Sequence, residues 1–264
     1  LRNLNAGANA YNVAVGHEAG LAVTTGALNT IVGGSAGLAL TTGGENVVVG
    51  YEALKNEDDH GQNTAIGTQT LFAQNAGATA QNVAVGYQAG AAMTVGIYNT
   101  FVGSLAGDAL NDADNNVAIG RAALSSDTTG HGSVAIGRNA LVSQNFTGGT
   151  TTHNVAVGDQ AGLAVTTGIE NTFVGSQCGD ATDDGKENTA VGSHALSNNC
   201  GNNNTAMGRY ALVSATGEGN TALGHQAGIA LGSGSNNTFV GKGAGDGTDD
   251  GTQNVAVGIS ALSA

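Results

Sequence analysis

The 264-residue chain contains 45 Gly and no Pro or Trp, with 4% aromatic and 10% charged residues. An enzyme domain of this length needs bulky side chains for a thick core and about a quarter charged residues, so most enzyme folds are excluded, and 40% hydrophobic residues in ordered spacing exclude disorder. Twenty Asp plus Glu against seven Lys plus Arg give a net charge of −13, which argues against nucleic acid as a partner, and no apolar run approaches the ~18 residues of a membrane helix.

Residues 1–11 read as a lead-in, and the opening at Leu1 reads as that of a processed product or a fragment. From Asn12 onward one motif recurs: Asn, then Val or Thr, usually Ala, an aliphatic residue, and Gly. Its anchors, taken as position zero, are Asn12, Asn29, Asn46, Asn63, Asn82, Asn99, Asn116, Ser133, Asn154, Asn171, Asn188, Asn204, Asn220, Asn237 and Asn254. Most spacings are 16 or 17, with 19 after Asn63 and 21 after Ser133, where surface loops are expected. Position +4 is Gly in all fifteen rungs and position +7 is Ala in thirteen, with Thr70 and Cys178 as exceptions.

Position +8 runs Gly, Gly, Leu, Leu through successive rungs, and the bulky +2 residues Ile31, Phe101, Phe173 and Phe239 fall on second rungs. The higher repeat is therefore four rungs, in blocks 12–81, 82–153, 154–219 and 220–264. Alternation at +1 to +3 has the period of a strand, and the following Gly permits a turn that a Cβ would obstruct. One rung buries almost nothing alone, so rungs must stack. The fold expected is all-β, a β-solenoid or parallel β-roll of about fifteen rungs of 16–21 residues, with 12–264 as a single array. The anchor Asn is placed to bond the next rung's Asn or to cap the turn. With Ala and Gly at so many inner places a lone coil gains little burial, so packing into a homotrimer is expected.

The unit Asn82-Val83-Ala84-Val85-Gly86-Tyr87-Gln88-Ala89 resembles the head repeats of trimeric autotransporter adhesins. Asn188-Thr189-Ala190-Val191-Gly192-Ser193-His194-Ala195-Leu196 resembles more closely the repeats of phage tail fibres and related surface proteins that end in an endosialidase-type intramolecular chaperone. The resemblance covers residues 12–264. It implies a trimeric β-roll shaft or head, outside the cell on a virion tail or a bacterial surface, presenting attachment surface to a host glycan or protein receptor. On that reading the parent chain continues beyond Ala264.

Positions +5 and +6 carry large polar residues: His17, Tyr51, Tyr87, Arg121, Arg138, Arg209, Tyr210, His225 and Lys242, among them four of the seven basic residues. A stacked edge of Tyr, Arg and His suits sugars, through aromatic faces and bidentate contacts; the same column also reads as a solvated corner. A carboxylate or a bound anion is expected beside Arg121 and Arg138. Acidic turns recur on three second rungs, Asp108 with Asp112 and Asp114, Asp180 with Asp183 and Asp184, and Asp246 with Asp249 and Asp250. They offer the oxygen ligands that Ca²⁺ takes, or a solvated acidic loop. Thr24-Thr25 and Thr41-Thr42 raise ice binding, but Asp58-Asp59 interrupts the array. A self-assembling extracellular filament is a further alternative. Cys178 is expected to be inner and Cys200 to lie in a turn, with no mutual disulfide. The six His share no spacing with Ser or Asp that makes a triad, so no enzyme is expected.

Overall fold

The computed structural model describes residues 2–5 and 9–263; Leu1 and residues 6–8 of the lead-in, and Ala264 of the array, lie outside the described residues. Fifteen parallel strands form a β-solenoid, with no helix among the described residues. The chain divides into two units, Leu1–Gly132 with Phe146–Thr151, and Ser133–Asn145 with Thr152–Ala264.

The first unit holds β1 (Val13–Val15), β2 (Thr30–Val32), β3 (Val47–Val49), β4 (Thr64–Ile66), β5 (Val83–Val85), β6 (Thr100–Val102) and β7 (Val117–Ile119). The second holds β8 (Val134–Ile136), β9 (Val155–Val157), β10 (Thr172–Val174), β11 (Thr189–Val191), β12 (Thr205–Met207), β13 (Thr221–Leu223), β14 (Thr238–Val240) and β15 (Val255–Val257). Within each unit neighbours in sequence pair in parallel, each residue opposite its equivalent: Ala14 faces Ile31, and Phe173 faces Ala190. The lead-in already follows the rung pattern at its end, where Ala10 accepts the Leu28 N–H as Ala27 accepts that of Glu45.

Each rung is pinned to both neighbours around its circuit. The +1 N–H of Val13 reaches Asn29 C=O of the next rung, whereas the +4 N–H of Gly33 reaches Val15 C=O of the one before. These bonds hold a backbone that the sequence does not advertise. Thirty-four non-glycine residues among those described have positive φ, including Glu18 and Gln69 at +6, Leu54 and Leu71 at +8, and Leu28 and Gln62 at +16. The left-handed conformation costs about 1–2 kcal/mol for a residue with a Cβ. At +8 the burial of a leucine, about 1.5–3 kcal/mol, offsets it: Leu54, Leu71, Leu124, Leu141, Leu196 and Leu212 are fully buried. At +4 nothing but Gly fits. Gly33 has φ of 139°, and a Cβ there would stand 2.3 Å from the Gly50 carbonyl oxygen.

The anchor Asn is buried and doubly used, as the ladder reading expects. Asn29 Oδ1 accepts the Asn46 N–H (3.0 Å), and its Nδ2 donates to Gly43 C=O (2.9 Å), closing its own rung. The column repeats from Asn12 to Asn116 in the first unit and from Asn154 to Asn254 in the second. At Ser133 the short side chain is supplemented by Gln144, which donates to Ser133 Oγ and accepts from Asn154 Nδ2. Asn63 Nδ2 alone in this column is buried without a partner, on the rung that carries the 19-residue spacing. Both expected loops are at the surface, with Gly77–Thr79 and Thr147–Gly149 exposed.

The four-rung order is a packing order. A Cβ on Gly162 would meet Leu141 at 2.8 Å and Phe173 at 3.2 Å, and one on Gly179 would meet Phe173 at 2.6 Å. Phe at +2 therefore fills the space left by Gly at +8 of its own and the preceding rung, and Leu at +8 takes over on the third and fourth rungs, where +2 is Ala or, at Val48, Val.

Candidate ligand-binding edge

The +5 and +6 side chains project from the turn after each strand. In the first unit Tyr51 and Tyr87 are about half exposed, and the Tyr51 ring lies back over Gly34, one rung earlier, 3.5 Å from where a Cβ would stand. Behind them the +6 column is a polar ladder: Lys55 Nζ bonds Glu52 Oε1 (2.7 Å), Gln69 donates to Glu52 (3.0 Å), and Gln88 donates to Gln69 (2.9 Å). The Lys55 hydrogen bond, then that of Gln69, holds the Glu52 carboxyl below its ordinary range. Arg121 is exposed at the same edge. An open groove is bordered by Arg2, His17 and Glu18.

In the second unit the column begins with a neutralised cation. Arg138 binds Asp159 of the next rung through Nε (2.8 Å) and the terminal nitrogen Nη2 (2.9 Å), the carboxylate partner expected beside it. Further along, His194, Arg209 and Tyr210 converge. The Arg209 guanidinium sits 4.3 Å from the Tyr210 ring centre and donates to its hydroxyl (3.1 Å), while the His194 ring lies 5.1 Å from the same ring. His225 and Lys242 follow, exposed, at the same position of the next two rungs. His194 joins this group although its residue type at +6 gave no separate signal.

The acidic turns do not converge. Among the described residues, one set of three His, Cys, Asp or Glu side chains brings ligand atoms within 4.8 Å of one another, and it is Glu57, Asp58 and His60. None of Asp108, Asp112, Asp114, Asp180, Asp183, Asp184, Asp246, Asp249 and Asp250 belongs to it. Several have structural partners: Asp114 accepts the Ile97 N–H (2.8 Å), and Asp183 accepts from the Thr166 hydroxyl. Asp108 and Asp180 each keep one buried oxygen without a partner, and burial raises the Asp108 carboxyl above its ordinary range.

Sequence reasoning missed that Glu57 and Asp127 are fully buried. Glu57 accepts from the His60 N–H (3.2 Å), Gln74 Nε2 (3.3 Å) and the Ala76 N–H (3.2 Å), so it ties its turn to the following rung. The signal lay at +11, where Val23, Leu40, Glu57, Gln74 and Met93, Leu110, Asp127, Gln144 place an acid and then Gln in an otherwise apolar column. Cys178 and Cys200 are both free and buried, and burial pushes the Cys178 thiol up to about 12. Thr hydroxyls of the Thr-Thr turns bond the next rung, as Thr24 does to Thr41 C=O and Thr41 to Asp58 C=O.

The outer face of the strands carries a second feature. Position +3 is aliphatic or Met in every strand and +1 is Val or Thr, with no charge in either column, and Val47, Ile66, Met207 and Leu223 are 37–46% exposed. Comparison with known proteins gives no matching family model and no matching curated relative.

Proposed function

We propose that this chain is the shaft or receptor-presenting region of a homotrimeric attachment fibre, of the phage tail fibre or bacterial surface adhesin kind, working outside the cell without catalytic activity of its own. The observation that carries the reading is the charge-free aliphatic stripe on the strand faces of both units. In a chain with net charge −13, a contiguous apolar surface of this regularity is an interaction surface. A second copy has the same rung spacing and the same side chains, so it fits the stripe along its length. Each half-exposed aliphatic residue contributes about 1 kcal/mol when covered. Several rungs therefore exceed the association cost of about 4–15 kcal/mol. The number three follows from the resemblance of the repeats to trimeric adhesin heads. Attachment then rests on many weak contacts along the +5/+6 edge, added through three copies.

Light scattering with small-angle X-ray scattering tests this. The expected result is three times the 25.6 kDa chain mass. The variant Val49→Lys with Val191→Lys, both at +3, is expected to lower that mass while the circular dichroism keeps its β signal. A monomeric wild type overturns the trimeric fibre.

A further inference from the structure

We infer that His194, Arg209, Tyr210, His225 and Lys242 form a binding site for an anionic polysaccharide, one carrying carboxylate or sulfate groups; this deepens the attachment reading above and rests on it. The argument starts from which cations of the second unit are already satisfied. Arg138 has both nitrogens of its fork on Asp159, so its charge is met within the protein. Arg209 has no carboxylate partner among the described residues. Its guanidinium carbon instead sits 4.3 Å from the Tyr210 ring centre, with Nη2 on the Tyr210 hydroxyl, which holds the exposed group in place and leaves it further donors for a ligand. An ordered, unneutralised guanidinium is the group that binds a planar oxyanion in bidentate fashion.

The surroundings extend the site along the solenoid. Positions +5 and +6 from Ser176 to Ser260 read Ser-Gln, Ser-His, Arg-Tyr, His-Gln, Lys-Gly and Ile-Ser, none of them acidic, and the carboxylate that reaches this column is Asp246, whose Oδ2 lies 3.4 Å from where a Cβ on Gly243 would stand. Arg209, His225 and Lys242 are exposed on three successive rungs, about 4.8 Å apart by strand spacing. A ligand that meets them must carry acceptors in a row, which a polymer of acidic sugars does and a single small anion does not. Tyr51, Tyr87 and Arg121 of the first unit lack such a convergence, and Arg138 is internally paired.

Affinity electrophoresis of the purified chain through gels containing dextran sulfate, polygalacturonate or neutral dextran tests the site. Retardation is expected with at least one acidic polymer, weakening with added salt, and not with dextran; the responding polymer tells sulfate from carboxylate. Arg209→Ala and Lys242→Ala are each expected to weaken binding about tenfold, whereas Arg138→Ala is expected to leave it unchanged, with circular dichroism confirming that each variant folds. Equal retardation by neutral dextran, or wild-type behaviour of Arg209→Ala and Lys242→Ala, overturns the anionic site. Absence of any retardation overturns it too. A trimer in the scattering experiment leaves the fibre reading standing in each of these cases, so the two failures are distinguishable.

Discussion

Asp108 and Asp180 occupy the same +9 place in successive blocks, and each has a buried carboxylate oxygen that nothing satisfies. Burial holds the folded Asp108 carboxyl above the ordinary aspartate value near 3.8. A group raised in this way favours the folded chain below its unfolded value, and that advantage is lost as pH rises through the folded value. Asp108→Asn removes the charge, so the variant is expected to melt higher than wild type at pH 7, on the order of 1 °C given that the group is only partly buried. The difference should close below about pH 3.8, the ordinary aspartate value; a variant that melts lower than wild type at pH 7 sinks this account. Residues of the other kind, the left-handed Glu18, Gln69, Leu54 and Leu71, left no trace in the sequence. Gln, Glu and Leu are not turn formers; bonds to a neighbouring rung, as from the Gln69 N–H to Tyr51 C=O, and burial of the leucines at +8 offset the cost. Glycine at +4 was readable because no other residue tolerates both its φ and the 2.3 Å approach of the next rung.

At the scale of the rung, size complementarity between +2 and +8 decides stability. Gly179 and Gly37 hold equivalent places with φ of 61° and 52°, so replacing either by Ala incurs a similar backbone cost. Their surroundings differ: the new Cβ meets Phe173 at 2.6 Å in one case and Ile31 at 3.5 Å in the other. Gly179→Ala is therefore expected to destabilise by about 1–3 kcal/mol more than Gly37→Ala, read as the difference in denaturant midpoint at equal slope. Equal losses in the two variants refute the packing account. The Gly-Gly-Leu-Leu order was legible as a pattern, and its cause became visible only when the Phe101, Phe173 and Phe239 rings were seen in the spaces that the glycines leave. The binding edge shows the same division. Arg209, Tyr210 and His225 were candidates by position, but so were Tyr51, Arg121 and Arg138, and only contacts separate the free guanidinium of Arg209 from the paired one of Arg138.

For the whole chain, stability in a repeat array is nearly a sum of rung terms and nearest-neighbour terms. Removal of 155–220, one block of 66 residues in the second unit, joins Asn154 to Thr221 and puts Gly228 where Gly162 stood beside Leu141. Removal of the 17 residues 172–188 takes out Phe173 and leaves the Gly162 space facing a rung with Ala190. The shorter deletion is expected to lower the melting temperature more, by about 5 °C or beyond, because a cavity of aromatic size costs about 3–5 kcal/mol. Thermal melts in which the 66-residue deletion is the less stable chain contradict the block model. The sequence by itself determined the all-β solenoid, its rung length, the anchor ladder and the four-rung order. Each of these repeats fifteen or nearly four times, and a repeated local constraint shows itself in register. Only the tertiary structure decided which anchors lack a partner, which carboxylates are buried, which strand face is left apolar and exposed, and which cations remain unneutralised. Those properties depend on side chains 16 to 21 residues apart that become neighbours through stacking, and spacing alone does not say which of them touch.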